Sequence, residues 1–144
     1  MEKYSDRIML PQRLAWLEGG LRKEGSPLDI PKEAVVFDIG SATAMEYRRL
    51  ILEAGTVFVN GPMGVFEQAE TETGTKLVWD ALGETNAYTV VGGGDSITAT
   101  TKYGKTALIN YICTGGGALI RFLTGEELPV VKALRHAAKV FPCN

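Results

Sequence analysis

The residues best suited to chemistry lie in Val90-Val91-Gly92-Gly93-Gly94-Asp95-Ser96, where an apolar β-branched run climbs into three glycines and an amphipathic segment then opens on Asp-Ser. That order reads as strand, tight loop and helix N-terminus. Glycine permits positive φ and leaves no Cβ between its N–H groups and a ligand, while the unpaired first-turn amides and the helix dipole favour an anion. Phosphate is the anion such a cradle takes. Asp95 stands where a carboxylate could hold Mg²⁺, an ion that needs few protein ligands once phosphate oxygens and waters complete its octahedron. The same seven residues also fit a plain strand-to-helix turn with Asp95 as its N-cap, so the rest of the chain has to decide.

Two further loops are of the same kind, Asn60-Gly61-Pro62-Met63-Gly64 and Thr114-Gly115-Gly116-Gly117. The elements between them read as follows. Arg7-Ile8-Met9-Leu10 is a short strand candidate stopped by Pro11, and Leu14 to Lys23 suits a helix or a β-hairpin, with Gly19-Gly20 favouring the hairpin. Ala34-Val35-Val36-Phe37 is a buried strand ending in Asp38-Ile39-Gly40, with Ser41 or Thr43 placed to cap a crossover helix from Ala44 to Ala54. Thr56 to Val59 and Ala87 to Val91 are buried strands separated by a helix from Thr73 to Glu84. A helix from Ser96 to Tyr103, a strand Tyr111 to Cys113, a helix Ala118 to Leu123 and a last helix Val130 to Val140 after Pro129 complete the chain.

Strands alternating with helices at this spacing predict an α/β fold, a parallel sheet with helices on both faces and a short N-terminal hairpin. Ligands of such sheets lie at the carboxyl ends of the strands, where all three glycine-rich loops fall. Glu67 and Asp95 are therefore expected on one edge, with the Gly92 to Gly94 and Gly115 to Gly117 loops beside Asp95.

Composition narrows the class. With 144 residues, 45% of them hydrophobic, residues 1–144 suffice for one compact unit and are too few for two of ordinary size. Fifteen basic residues against seventeen acidic, with no basic run, leave no footprint for nucleic acid, so phosphate has to be held by backbone amides and metal. No stretch approaches the ~20 apolar residues of a membrane span and the N-terminus shows no signal-peptide core, which predicts a cytosolic chain. Cys113 and Cys143 give neither a disulfide framework nor a metal spacing and read as free thiols. The single histidine, His136, reads as a surface residue of the last helix.

Other phosphate motifs fail on their spacing. A dinucleotide fingerprint needs a third glycine where Ile97 and Ile120 stand. Gly104-Lys105-Thr106 lacks the earlier P-loop glycine, replaced by Ala99, and lies past a helix rather than before one, so it reads as a helix C-cap and a solvated lysine. Nucleophile elbows, HExxH and zinc-finger spacings are absent.

Asn60-Gly61-Pro62-Met63-Gly64-Val65-Phe66-Glu67, Val91-Gly92-Gly93-Gly94-Asp95-Ser96 and Thr114-Gly115-Gly116-Gly117-Ala118, in this order and spacing, resemble the nucleotide-binding domain of the phosphoglycerate kinase family. The resemblance extends from Leu10-Pro11 through Glu126-Glu127-Leu128-Pro129, and Ile51 to Val59 is similar to the archaeal branch. It implies ATP/ADP and Mg²⁺ as ligands. Glu67 would accept the ribose hydroxyls, where the bland alternative is a solvated loop glutamate. Asn60 would donate its amide to a phosphate oxygen, and Pro62, Val65 and Phe66 would wall the cleft, although Phe66 equally suits the core. Gly93, Gly94 and Ser96 would bind phosphates, Asp95 would hold Mg²⁺, and Gly115, Gly116 and Gly117 would face the transferring phosphoryl group.

The chain departs from the family where Ser41-Ala42-Thr43 replaces Pro-Lys-Thr, Cys113 replaces serine and Arg121 replaces glutamate. Family members also carry a substrate domain and a Gly-Gly-Ala-Lys stretch whose lysine faces the transferred phosphate. Neither is found here, and Lys102 and Lys105, following the Asp95 helix, are not expected to replace that cation. The implied identity is the C-terminal part of the enzyme, a partial nucleotide-binding domain inactive alone, with an exposed apolar flank that a complementary N-terminal chain or self-association would cover. A non-catalytic nucleotide- or anion-binding module and one chain of a split kinase remain open beside it.

Overall fold

A computed structural model describes residues 2–141 of the chain; Cys143 lies outside them. Residues Glu2–Arg7 form 3₁₀ turns, followed by β1 (Leu14–Glu18), β2 (Leu21–Gly25), β3 (Val36–Ile39), α1 (Ser41–Glu53), β4 (Thr56–Asn60), α2 (Thr73–Glu84), β5 (Tyr88–Gly92), α3 (Gly94–Lys102), a 3₁₀ turn at Thr106–Leu108, β6 (Tyr111–Cys113), α4 (Gly116–Leu123) and α5 (Pro129–Val140).

The hairpin forms where expected. β1 and β2 pair antiparallel from Leu14↔Gly25 to Glu18↔Leu21, and both loop residues sit at positive φ, Gly19 at 57° and Gly20 at 79°. A two-residue turn matching strand twist requires that backbone, which glycine adopts without a Cβ penalty. Two expectations about strands need correcting. Ile8, Met9 and Leu10 are in no strand. Pro11 offers no N–H to a ladder, and Tyr47 of α1 instead donates its hydroxyl hydrogen to the Met9 carbonyl at 3.2 Å. The strand after Pro31 starts at Val36 and belongs to the hairpin, not to the parallel sheet. It pairs antiparallel with β1 as Leu14↔Ile39 and Ala15↔Asp38, then slips by a bulge to Trp16↔Val36, giving the order β2-β1-β3. An apolar tetrapeptide pairs with whichever edge the tertiary fold offers, and β1 offers one.

The second sheet is parallel, in the order β4-β5-β6, with Thr56↔Tyr88 through Asn60↔Gly92 and Val90↔Tyr111 through Gly92↔Cys113. Its inner face packs Val59 and Val91 against Val78, Trp79 and Leu82 of α2 and Ala99 of α3. The two helices are tied by the buried indole of Trp79, which donates to Thr100 Oγ1 at 2.9 Å. α1 lies against α2, with Arg48 and Glu84 forming an ion pair between them. The outer face, with Phe58, Tyr88 and Tyr111 exposed, is reached by α4 through Leu119, which stands over Gly92 beside Phe58. No residue of α4 or α5 is buried, His136 included. Among the described residues, no helix is long and apolar enough to cross a membrane.

Helix starts differ from expectation in an instructive way. α1 starts at Ser41 with Gly40 as its cap and no side-chain capping bond. Ser41 donates its hydroxyl hydrogen to Glu24 at 2.7 Å and Thr43 Oγ1 bonds both the N–H and carbonyl of Arg13, so the hairpin takes the hydroxyls that were expected to cap. α3 and α4 begin on Gly94 and Gly116, which draws the glycines into their first turns.

Candidate functional site

Parallel pairing brings the ends of β4, β5 and β6 to one edge, and each loop there is shaped by its neighbours. Gly93 caps α3 at φ 91°, a conformation open to glycine, and a Cβ on it would come within 3.0 Å of Asn60 Oδ1. The Asn60 amide therefore stands over the glycine loop. Ser96 is fully buried and its Oγ accepts the Gly61 N–H at 2.6 Å, so its hydroxyl ties the β4 loop to α3. Asp95 lies in the first turn of α3, exposed, with no hydrogen bond or ion pair among the described residues. Gly115 caps α4 and donates its N–H to Cys113 Sγ at 3.4 Å, while Gly116 and Gly117 open the helix beside the Gly92 loop.

The segment after β4 crosses from the parallel sheet to the hairpin. Thr75 Oγ1 accepts the N–H groups of Met63 and Gly64 at 3.1 and 3.3 Å, and Val65 N–H donates to the Phe37 carbonyl at 2.8 Å. Phe66 is buried in the core and also lines a cavity. That cavity, about 510 Å³, lies between β3 and the loop Pro62 to Glu67, with Pro11, Leu14 and Asp95 on its border. Glu67 is exposed on it and, like Asp95, makes no polar contact among the described residues. Two uncommitted carboxylates thus border one cavity, as the shared strand edge required.

The β3 side of the cavity is held by a charge cluster not singled out from sequence, buried at Asp38 and half-buried at Arg22 and Glu24. Arg22 of the hairpin donates to Glu24 at 2.7 Å, Asp38 at 3.1 Å and the Ile39 carbonyl at 2.9 Å, and Asp38 accepts the Gly74 N–H at 2.6 Å. Burial pushes the Asp38 carboxyl above its ordinary value against those bonds. Burial also opposes ionisation of Glu24, but the Arg22 and Ser41 hydrogen bonds prevail and hold it low. The sequence signal for this cluster was faint: a charged residue, Asp38, closing an apolar run. Lys105 is likewise not solvated; its ammonium pairs with Asp80 of α2 at 2.9 Å, while Gly104 at φ 65° follows the end of α3 as expected.

As for ligands, the described residues contain no group of three His, Cys, Asp or Glu side chains able to hold a metal. A free carboxylate beside exposed first-turn amides suits a cation that arrives with phosphate oxygens as most of its shell.

Comparison with known proteins identifies the family. The model of the phosphoglycerate kinase family matches residues 1–126. The phosphoglycerate kinase of Methanopyrus kandleri is 41% identical over 134 residues, covering 93% of this chain and 33% of that protein. That of Thermoplasma acidophilum is 37% identical over 141 residues, covering 98% of this chain and 34% of its own. The structure is similar to the crystal structure of phosphoglycerate kinase from Pyrococcus horikoshii, with a TM-score of 0.82 and 39% identity over 97% of this chain and 35% of that one. The enzyme from Coxiella burnetii gives a TM-score of 0.83 at 32% identity, over 95% of this chain and 37% of that one. The chain spans about a third of the length of these curated relatives. A parallel sheet ending in three glycine-rich loops, together with these matches, means that the chain belongs to the phosphoglycerate kinase family.

Proposed function

We propose that this chain is the nucleotide-holding, C-terminal part of a phosphoglycerate kinase, an enzyme that moves a phosphoryl group between 1,3-bisphosphoglycerate and Mg-ADP in the cytoplasm. The observation that carries the reading is the pair of uncommitted carboxylates, Glu67 and Asp95, bordering one cavity beside the glycine loops. Glu67 accepts the ribose hydroxyls, Asn60 donates to phosphate, and the backbone amides of Gly93, Gly94 and Ser96 cradle the phosphates while the Ser96 hydroxyl keeps the loop in place. Asp95 holds Mg²⁺, which when bound offsets phosphate charge. Gly115, Gly116 and Gly117 present N–H donors to the transferring group.

The remainder of the enzyme supplies phosphoglycerate contacts and cations, and covers the exposed outer face of the sheet. Alone, the chain binds Mg-ADP weakly and turns over below detection, because one transition-state cation is worth ~10³ to 10⁵ in rate and the proximity of the second substrate on the order of 7–11 kcal/mol. Calorimetry with Mg-ADP on wild type and Asp95→Ala, beside a coupled ATP-forming assay, tests this. Binding that falls in the variant supports the reading. Identical binding sinks the role of Asp95, and turnover near that of an ordinary kinase sinks the need for a complement.

A further inference from the structure

The loop between β4 and Glu67 is anchored to both ends of α3, to α2 and to β3, and the last anchor along the loop is the least expected. Gly61 is held by Ser96, Met63 and Gly64 by Thr75, and Val65 by Phe37. The Phe66 carbonyl, the group immediately before Glu67, accepts a short hydrogen bond from the ammonium of Lys102 at the far end of α3. That ammonium is also paired with Glu72 at 2.7 Å, where the loop enters α2, and lies 5.6 Å from the centre of the Tyr103 ring. Tyr103 in turn donates its hydroxyl hydrogen to the same Glu72 oxygen at 3.1 Å. One lysine thus clamps both ends of the segment that carries Glu67.

α3 carries Asp95 in its first turn and Lys102 as its last residue. Seven helical steps separate them by about 10 Å, a fixed length because the helix is hydrogen-bonded throughout. We infer that Lys102 is a positioning residue: closed on Phe66 and Glu72, it sets the Glu67 loop at a fixed distance from Asp95, so that α3 acts as a ruler between the ribose and phosphate ends of a bound nucleoside diphosphate. The inference rests on the nucleotide reading above. A cation suits this task better than a neutral donor, because an ammonium can donate to a carbonyl and a carboxylate at once, and charge-assisted bonds are the stronger ones.

The test compares Lys102→Met and Lys102→Arg with the wild-type chain by calorimetry, using Mg-ADP and, as a ligand without ribose, Mg-pyrophosphate. Hydrogen exchange over residues 66–72 is followed in the same samples. Lys102→Met is expected to speed exchange in that segment alone, to weaken Mg-ADP about tenfold and to leave Mg-pyrophosphate within about twofold. Lys102→Arg restores most of the loss, and in a Glu67→Gln background Lys102→Met costs nothing further. Unchanged exchange overturns the clamp, and equal weakening of both ligands overturns positioning in favour of general loosening. Absence of Mg-ADP binding by the wild-type chain, with exchange responding as expected, overturns the nucleotide reading and the ruler with it while leaving the clamp itself in place.

Discussion

The two faces of the parallel sheet are built from similar residues and meet different fates. On the inner face Val59 and Val91 are buried under Trp79 and Leu82 of α2 and Ala99 of α3. On the outer face Phe58 is 42%, Tyr88 54% and Tyr111 53% exposed, with α4 reaching only as far as Gly92 through Leu119. Other apolar residues are exposed as well: α5 sets Val130, Leu134 and Val140 free to solvent, and a cavity of about 370 Å³ runs between the free edge of β4 and α1, lined by Leu50, Ile51 and Phe58. Exposed apolar area of this kind is what interaction sites offer, and the chain spans about a third of the length of its curated relatives. Strand pattern measures how much a residue wants burial; it does not supply the layer that buries it.

The largest effect that would sharpen this contrast is on the inner face. Trp79→Ala removes a fully buried ring and leaves Thr100 without its donor, at an expected cost of ~3–5 kcal/mol by urea unfolding. A loss as small as that of an outer-face change would mean the two faces are equally loose. Gly74→Ala comes next. Its new methyl would collide with the Asp38 carboxylate and Ile39, both buried and unable to retreat, so the expected cost is ~1–3 kcal/mol, read from the same unfolding curves.

On the outer face, Phe58→Ser is expected to change stability by less than about 1 kcal/mol while reducing self-association in sedimentation runs, since it removes exposed apolar area. If association is undiminished, this face is not the one that associates. The smallest effect concerns pH. The hydrogen bond from Lys102, and then that from Tyr103, hold the Glu72 carboxyl below the ordinary glutamate range, with burial opposing. A lowered folded pKa means that the stabilisation is present above the ordinary range and is lost as pH falls through the folded value. With Lys102 36% and Glu72 21% exposed, solvent screening limits it to about 0.2–1 kcal/mol. Glu72→Gln should therefore be less stable than wild type near neutral pH, and the difference should vanish as pH falls through the lowered folded value. A difference constant with pH would show that charge has no part in the clamp.

The candidate site was legible where its chemistry is local. Three glycine-rich loops after three apolar strands predict one edge, and a carboxylate in a first turn or a short loop finds no partner nearby. Lys102 was not legible, because its partners Phe66 and Glu72 are thirty or more residues away and nothing in Thr100-Thr101-Lys102-Tyr103 distinguishes it from a solvated lysine. Lys105 was misread for the same reason.

By itself the sequence determined what depends on neighbours along the chain: a hairpin where Gly19-Gly20 allows paired positive φ, helices where apolar residues recur on one side, and glycine loops where strands end. Tertiary structure alone decided what depends on meeting across the chain. It gave β3 to the hairpin edge of β1, turned the Ser96 hydroxyl inward to Gly61, chose which sheet face α2 and α3 cover, and placed two lysines on partners instead of in water. Local backbone preferences are set by a residue and its few neighbours, whereas a pairing partner is set by which surfaces the tertiary packing holds within hydrogen-bond reach, and only the folded chain supplies that.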